Sequence, residues 1–420
     1  MVRNDQPLPF PSEANPQSTL RKADAADSDA FSWYLAFALF LVGINLRPAL
    51  SSVAPVLSAI RDTTGLSATG AALLTTLPVL CFGAFAPLAP RLASRFGTER
   101  VVLHGLVVLM AAIGLRVFFG IGGLFAGTLF AGASIGVVMV LLPGILKRDF
   151  ARQVGGMTGV YTMALCLGAA LAAGLTVPLK QFAGDSWRVG LAFWLVPVLL
   201  AAVVWWPQTR HAGARNAARR YTVQGLRRDP IAWQVTAYMG LQSTLAYCVF
   251  GWLPTVLIDR GLTPLAAGGM LSLSIAMQLI TSLAGPWIAT RGRDQRAAIA
   301  LMMIVTLIGF AGCAFADTSW IWFWSVVLGL GQGGCFSIGL TLIVLRAPNA
   351  PVAASLSGMA QGLGYSGAAL GPLAFGLLHD VSGDWNSAAF FFIAVGIAAL
   401  FAGLAAGRNL HVKATVTEIA

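Results

Sequence analysis

Charge is scarce in this sequence. Asp, Glu, Lys and Arg together make up 10% of its 420 residues, where a soluble globular domain carries about 25%. That excludes an ordinary water-soluble fold. Acidic residues are the rarer sign, 16 against 27 basic, and every one of them falls in a tail or in a short polar joint between apolar runs. Proton-driven carriers keep titratable groups inside the membrane, and no carboxylate is placed to serve here. Of the four histidines only His104 and His379 lie near apolar runs, both toward their ends. His104 reads either as a proton site or as an interfacial histidine. The five cysteines (Cys81, Cys166, Cys248, Cys313, Cys335) each stand alone in an apolar run, without metal or redox spacing, and read as small buried hydrophobes. No G-x-x-x-x-G-K-[ST] loop is present, which disfavours ATP-driven pumping. No nucleophile, base and orienting group come together and no His/Cys cluster has metal spacing, so neither enzyme, cofactor nor metal site is expected. Residues 1–30 lack an apolar h-region and read as a disordered tail, not a signal peptide.

What the sequence has is apolar length. Hydrophobic residues reach 57% with a mean hydropathy of +0.77. About 20 helical residues cross a bilayer core roughly 30 Å thick. Twelve stretches are long enough: about 31–60, 68–90, 99–119, 123–146, 155–180, 187–206, 231–258, 264–290, 297–316, 319–345, 353–379 and 386–407. The short alternating segments of a membrane β-barrel are missing. An all-α polytopic membrane protein with twelve transmembrane helices is expected. The net charge of +11 needs no nucleic-acid partner, because Lys and Arg concentrate in cytoplasmic loops. With both termini cytoplasmic, most basic residues fall inside. Arg61, Arg116, Lys180, Arg188 and Arg260 fall toward the other side.

The longest internal polar break, 207–229, divides the spans six and six. The halves resemble one another: Gly65-Leu66-Ser67 recurs as Gly261-Leu262-Thr263, Pro90 as Pro286, Arg95 as Arg291, Arg100 as Arg296 and Gly156-Met157 as Gly358-Met359. The expected organisation is a tail 1–30, a six-helix bundle 31–206, a basic cytoplasmic linker 207–229, a second bundle 230–408 and a tail 409–420. Two parallel six-helix halves resemble the major facilitator superfamily, in which substrate binds near the midplane between halves that rock. The loop Pro90-Arg91-Leu92-Ala93-Ser94-Arg95-Phe96-Gly97-Thr98-Glu99-Arg100 is similar to that superfamily's gate motif, with Ser94 in place of the usual Asp. Arg95, Gly97 and Arg100 are therefore gate candidates, and Arg95 reads equally as a topology determinant. Gly367-Ala368-Ala369-Leu370-Gly371-Pro372 resembles the G-x-x-x-G-P element that drug/proton antiporters carry in span 5. Span 5 here lacks it, which weighs against a multidrug antiporter.

One charge lies inside a span. Gly43-Ile44-Asn45-Leu46-Arg47-Pro48 puts Arg47 just past the middle of the first apolar run. A central arginine costs about 2.5–3.5 kcal/mol on insertion scales and cannot shed its proton. With no acidic partner in the spans, a ligand can supply the counter-charge. Pro48 and Pro55 interrupt helical bonding, so Asn45, Arg47 and Ser51 offer donors in a loosened helix. Arginine presents a planar two-pronged donor to an anion. Alternatively, Arg47 bonds the backbone carbonyls of the broken helix. Further candidate binding residues are Tyr161, Tyr238, Gln242, Gln332, Gln361 and Tyr365. Tyr238 and Gln242 share a helix face, and each of these side chains reads equally as a bridge between helices.

Gly-x-Asn-Leu-Arg-Pro at 43–48 and Arg-Phe-Gly-x-Glu-Arg at 95–100 resemble the cyanate/nitroimidazole branch of the superfamily. The resemblance implies a monomeric, multi-pass transporter of the bacterial inner membrane that moves a small anionic or polar solute by alternating access, with Arg47 and Asn45 as binding residues. Efflux of small aromatic compounds is the alternative. A transport-dead sensor would add a soluble domain, for which the linker and tails are too short. Facilitated diffusion, anion exchange and a proton travelling with the substrate all stay open.

Overall fold

The protein, described here from a computed structural model, is described over residues 33–215 and 221–418. The tail 1–30 and positions 216–220 of the linker lie outside the described residues. Twelve spans follow in order. α1 is Trp33–Val56. α2 is Ala68–Phe85 continued by Leu88–Phe96, bent by 56° at a break where Pro87 starts the second piece. α3 is Thr98–Phe118, α4 Gly120–Asp149 and α5 Val154–Phe182. α6 is Trp187–Ala192 followed by Leu195–Arg215. In the second half α7 is Pro230–Asp259, α8 Pro264–Arg291, α9 Arg296–Phe315 and α10 Ile321–Arg346. α11 is Ala350–Ala368 continued by Leu370–Ser382, and α12 is Asn386–Ala406.

Among the described residues ten helices are long and apolar enough to cross a membrane, or eleven with the bent α2 taken as one span. The remaining span is α11, whose Gly- and Ser-rich sequence lowers its hydropathy and whose break at Ala369 shortens each piece. The internal repeat is also a repeat of local structure. Gly65 (φ +69°) and Gly261 (φ +99°) both take the left-handed turn that favours glycine. Two residues later Ser67 accepts the Gly70 N–H at 3.1 Å and Thr263 the Ala266 N–H at 3.2 Å, capping α2 and α8 alike.

The halves meet along α2–α11 and α5–α8, and glycines decide how closely. A Cβ on Gly159 of α5 would stand 2.4 Å from the Leu283 carbonyl oxygen of α8. Gly155 faces Thr290 and Pro286, Gly358 faces Ala86 and Pro90, and Gly144 faces Ala350 and Ala354. All these contacts lie toward the end that carries Arg91, Arg148, Arg152 and Arg291. At the opposite end Gly174 of α5, Gly268 and Gly269 of α8 and Gly367 of α11 have no neighbour within 4 Å of an added Cβ. The close glycine contacts between the halves thus gather toward the basic end.

The linker and the C-terminal tail, separate segments in the sequence, are hydrogen-bonded together. α6 stays helical to Arg215, beyond residue 206, and β1 (Tyr221–Gln224) pairs antiparallel with β2 (Thr415–Glu418). Asp229 caps α7 through Ile231 and Ala232 and accepts the Lys413 N–H at 2.7 Å. Arg116 lies in the last turn of α3, at the end away from Arg100, and is 2% exposed inside the first bundle.

Candidate substrate site

The first helix breaks where its sequence says it must. Regular winding stops at Leu46-Arg47 and resumes in Pro48–Ser51. Pro48 has no N–H to give back to Ile44. The Ile44 carbonyl turns against Gly168 of α5, where a Cβ would sit only 2.0 Å from it. Arg47 itself caps the new turn (φ −109°, ψ −30°), its carbonyl accepting from Leu50 and Ser51 at 3.0 Å.

From that break the guanidinium reaches toward the second half. Its carbon lies 5.4 Å from the centre of the Phe336 ring of α10. Tyr161 and Cys166 of α5, Tyr247 of α7 and Tyr365 of α11 lie near it. The Tyr365 ring stands 6.1 Å from Phe82 and 6.5 Å from Tyr247. Arg47 Nε, Tyr161 Oη and Tyr365 Oη are buried and have no hydrogen-bond partner. Buried donors in folded proteins are nearly always partnered. Arg47, Tyr161 and Tyr365 thus bring three unpartnered donors near one another, and among the described residues no carboxylate pairs with Arg47.

The nine candidates read from sequence divide in two. Arg47, Tyr161 and Tyr365 come together, with Ser51 half-buried one turn after Arg47. The other five bond within the protein, four of them between helices and Gln242 within its own. Asn45 donates to the carbonyls of Leu41 (2.8 Å) and Pro197 (3.0 Å), tying α1 to α6. Tyr238 donates to Cys335 O at 3.1 Å, joining α7 to α10. Gln242 turns back on Met239 O and Ser243 Oγ. Gln332 donates to Leu245 O and accepts from Gln278. Gln361 donates to Ser357 Oγ at 2.6 Å and to Met139 O of α4, leaving its Oε1 unpartnered. Phe336 and Phe82 were not singled out from the sequence. Phe336 had one visible signal, a large ring in the small-residue run Gly333-Gly334-Cys335-Phe336-Ser337.

At the basic end Arg95 is exposed with its guanidinium over the Phe96 ring, Gly97 turns the chain at φ +88°, and Arg100 is exposed. The loop's carboxylate is Glu99, 5% exposed, which pairs with Arg148 of α4 at 2.6 Å while Arg148 also holds Asp149 at 2.8 Å. The Glu99 carboxylate stands five residues after Ser94, and its ion pair stays within the first half. Glu99→Gln removes one charge of a pair that is buried on one side. A melting curve is expected to show a loss of about 1–3 kcal/mol, moderated because Arg148 keeps Asp149. His104 is exposed, and His379 stacks on Trp385 at 3.7 Å.

Two helical halves packed along α2–α11 and α5–α8, with helices long and apolar enough to cross a membrane, have the architecture of a membrane carrier. The chain belongs to the Major Facilitator Superfamily, whose profile matches residues 33–372, and sits in its cyanate/nitroimidazole branch. It is 36% identical over 381 residues to the 2-nitroimidazole transporter of Escherichia coli K12, covering 89% of this chain and 95% of that one. It is 30% identical over 348 residues to the cyanate transport protein CynX of the same organism, covering 83% of this chain and 90% of that one. The solved structure of the proton:xylose symporter XylE aligns with a TM-score of 0.71 over 90% of this chain and 96% of that one. At 14% identity this speaks for the fold alone. The protein is a transporter and not an enzyme.

Proposed function

We propose that the protein carries a small planar monoanion, inorganic or organic, across a bacterial inner membrane by alternating access, and that Arg47 is the charge recognising it. The observation that carries this reading is the group of unpartnered donors: Arg47 Nε with the Tyr161 and Tyr365 hydroxyls. Charge-assisted hydrogen bonds to such donors are the strong ones. The flanking Phe336, Phe82 and Tyr247 rings favour a flat ligand. With the basic end cytoplasmic, as the positive-inside rule directs, the close glycine contacts between the halves face inward. Both termini are then inside, and one chain suffices for the site. Relatives named for cyanate and 2-nitroimidazole transport support the same ligand size.

The test is uptake into liposomes of purified protein, with cyanate and benzoate as probes. Saturable uptake of either anion supports the reading, and its absence for both rejects it. The aromatic rings also fit the alternative, efflux of small neutral aromatics. Export from oriented vesicles that ignores charge would favour that alternative.

Tyr161→Phe and Tyr365→Phe separate binding from folding. Each removes a buried hydroxyl that has no partner in the empty protein, so thermal stability is expected to hold or rise. Benzoate binding is expected to weaken by about 0.5–1.5 kcal/mol per hydroxyl, roughly three- to tenfold, read by titration.

A further inference from the structure

The geometry points to Arg116 as the residue that positions Arg47, an inference that rests on Arg47 being the recognising charge. Arg116 lies in α3 and is 2% exposed. Among the described residues no carboxylate pairs with it. Its one hydrogen bond runs from Nη1 to the Ala49 carbonyl of α1, and its Nε and Nη2 are buried without partners. A guanidinium so placed keeps its charge, is costly inside a membrane, and is anchored at a single point.

That point is the turn that carries Arg47. Val53 N–H bonds to Leu50 O at 3.3 Å, a tight i to i+3 turn that leaves Ala49 O without its helical donor. Arg116 supplies the missing donor. The bundle makes room for it at Gly127 of α4, where a Cβ would meet Arg116 Cγ at 2.8 Å. Ala49 is two residues beyond Arg47 and shares its short helix, which is closed by Ser51 N–H to Arg47 O at 3.0 Å. Fixing the Ala49 peptide fixes the rotation of that turn. Slippage by one residue would rotate the Arg47 side chain by about 100°, away from Tyr161 and Tyr365. Arg116 touches no substrate in this scheme and acts through the backbone of α1.

Hydrogen exchange on the ligand-free protein tests this without assuming any substrate. Arg116→Met is expected to speed exchange at least tenfold in peptides covering 46–53, with peptides of α3, α4 and α9 unchanged. Arg116→Lys, which keeps a charged donor for Ala49 O, is expected to restore protection to within about threefold. If the methionine variant cannot be purified, Arg116→Gln, whose shorter amide falls short of Ala49, is expected to give the same local loss. Unchanged protection at 46–53, loss spread equally over α3 and α4, or failure of lysine to restore it each overturn the inference. Arg47→Ala serves as the control. It removes anion binding if the proposed function holds and leaves exchange at 46–53 as in the parent, so failure of the site and failure of the positioning role are told apart.

Discussion

Arg47→Ala is expected to abolish saturable anion uptake and to lower binding affinity by about two to four decades. Two charge-assisted hydrogen bonds contribute about 1.5–3 kcal/mol each, and about 1.4 kcal/mol is a decade. The same substitution removes a charge whose insertion costs about 2.5–3.5 kcal/mol and which has no carboxylate partner among the described residues. The empty variant is therefore expected to melt at a higher temperature than the parent. Loss of binding with gain of stability is the signature of a functional charge held at a structural cost. A structural arginine would show the reverse sign in the melting curve. Arg47→Lys keeps the charge but not the planar two-pronged donor, and is expected to retain weakened binding, about a decade below the parent.

Gly168→Val is expected to give the largest loss of stability among the helix-packing variants. The Cβ it adds would stand 2.0 Å from the Ile44 carbonyl, and that atom belongs to backbone already displaced by Pro48, so it cannot rotate away. Overpacking costs about 1–3 kcal/mol where side chains can yield, and here none can. Low yield of folded protein and a depressed melting temperature are expected. Anion affinity should fall in whatever folds, because α1 is pushed off α5. Gly174→Ala, on the same helix with nothing within 4 Å, is expected to be neutral. Equal effects of the two would mean that glycine content, not the approach of α1, sets stability.

Much of this was legible before any coordinates. Apolar length marked the spans, because lipid requires every backbone polar group to be satisfied within the helix. Arg47 stood out for the same reason, being a charge with no acid in reach along any span. Its break was legible through Pro48, which cannot complete a helical turn. The partners were harder. Gln242, Gln332, Tyr238 and Asn45 looked like ligand groups because sequence shows that a polar side chain lies in a span and not which carbonyl it faces. In the structure those carbonyls are Met239, Leu245, Cys335 and Pro197. Tyr161 and Tyr365 carry the same ambiguity in sequence, and what distinguishes them is that they have no hydrogen-bond partner at all, where Asn45 and Gln361 each leave one oxygen unpartnered but donate to carbonyls. Arg116 and Glu99 were legible as charges at the two ends of α3, but not as buried ones, since burial near a helix end depends on how neighbouring helices overhang it. The tail-to-linker strand pairing had no signal beyond two short β-prone runs, Tyr221–Gln224 and Thr415–Glu418.

The central claim is that the site recognises one negative charge. It is met most directly by titrating the purified protein calorimetrically with benzoate and with its neutral counterpart benzamide, at neutral pH. The two have nearly the same shape and differ in charge. The account predicts that benzoate binds at least about 100-fold more tightly, the share that two charge-assisted bonds to Arg47 would contribute. Equal affinity for the two, or preference for benzamide, would contradict it.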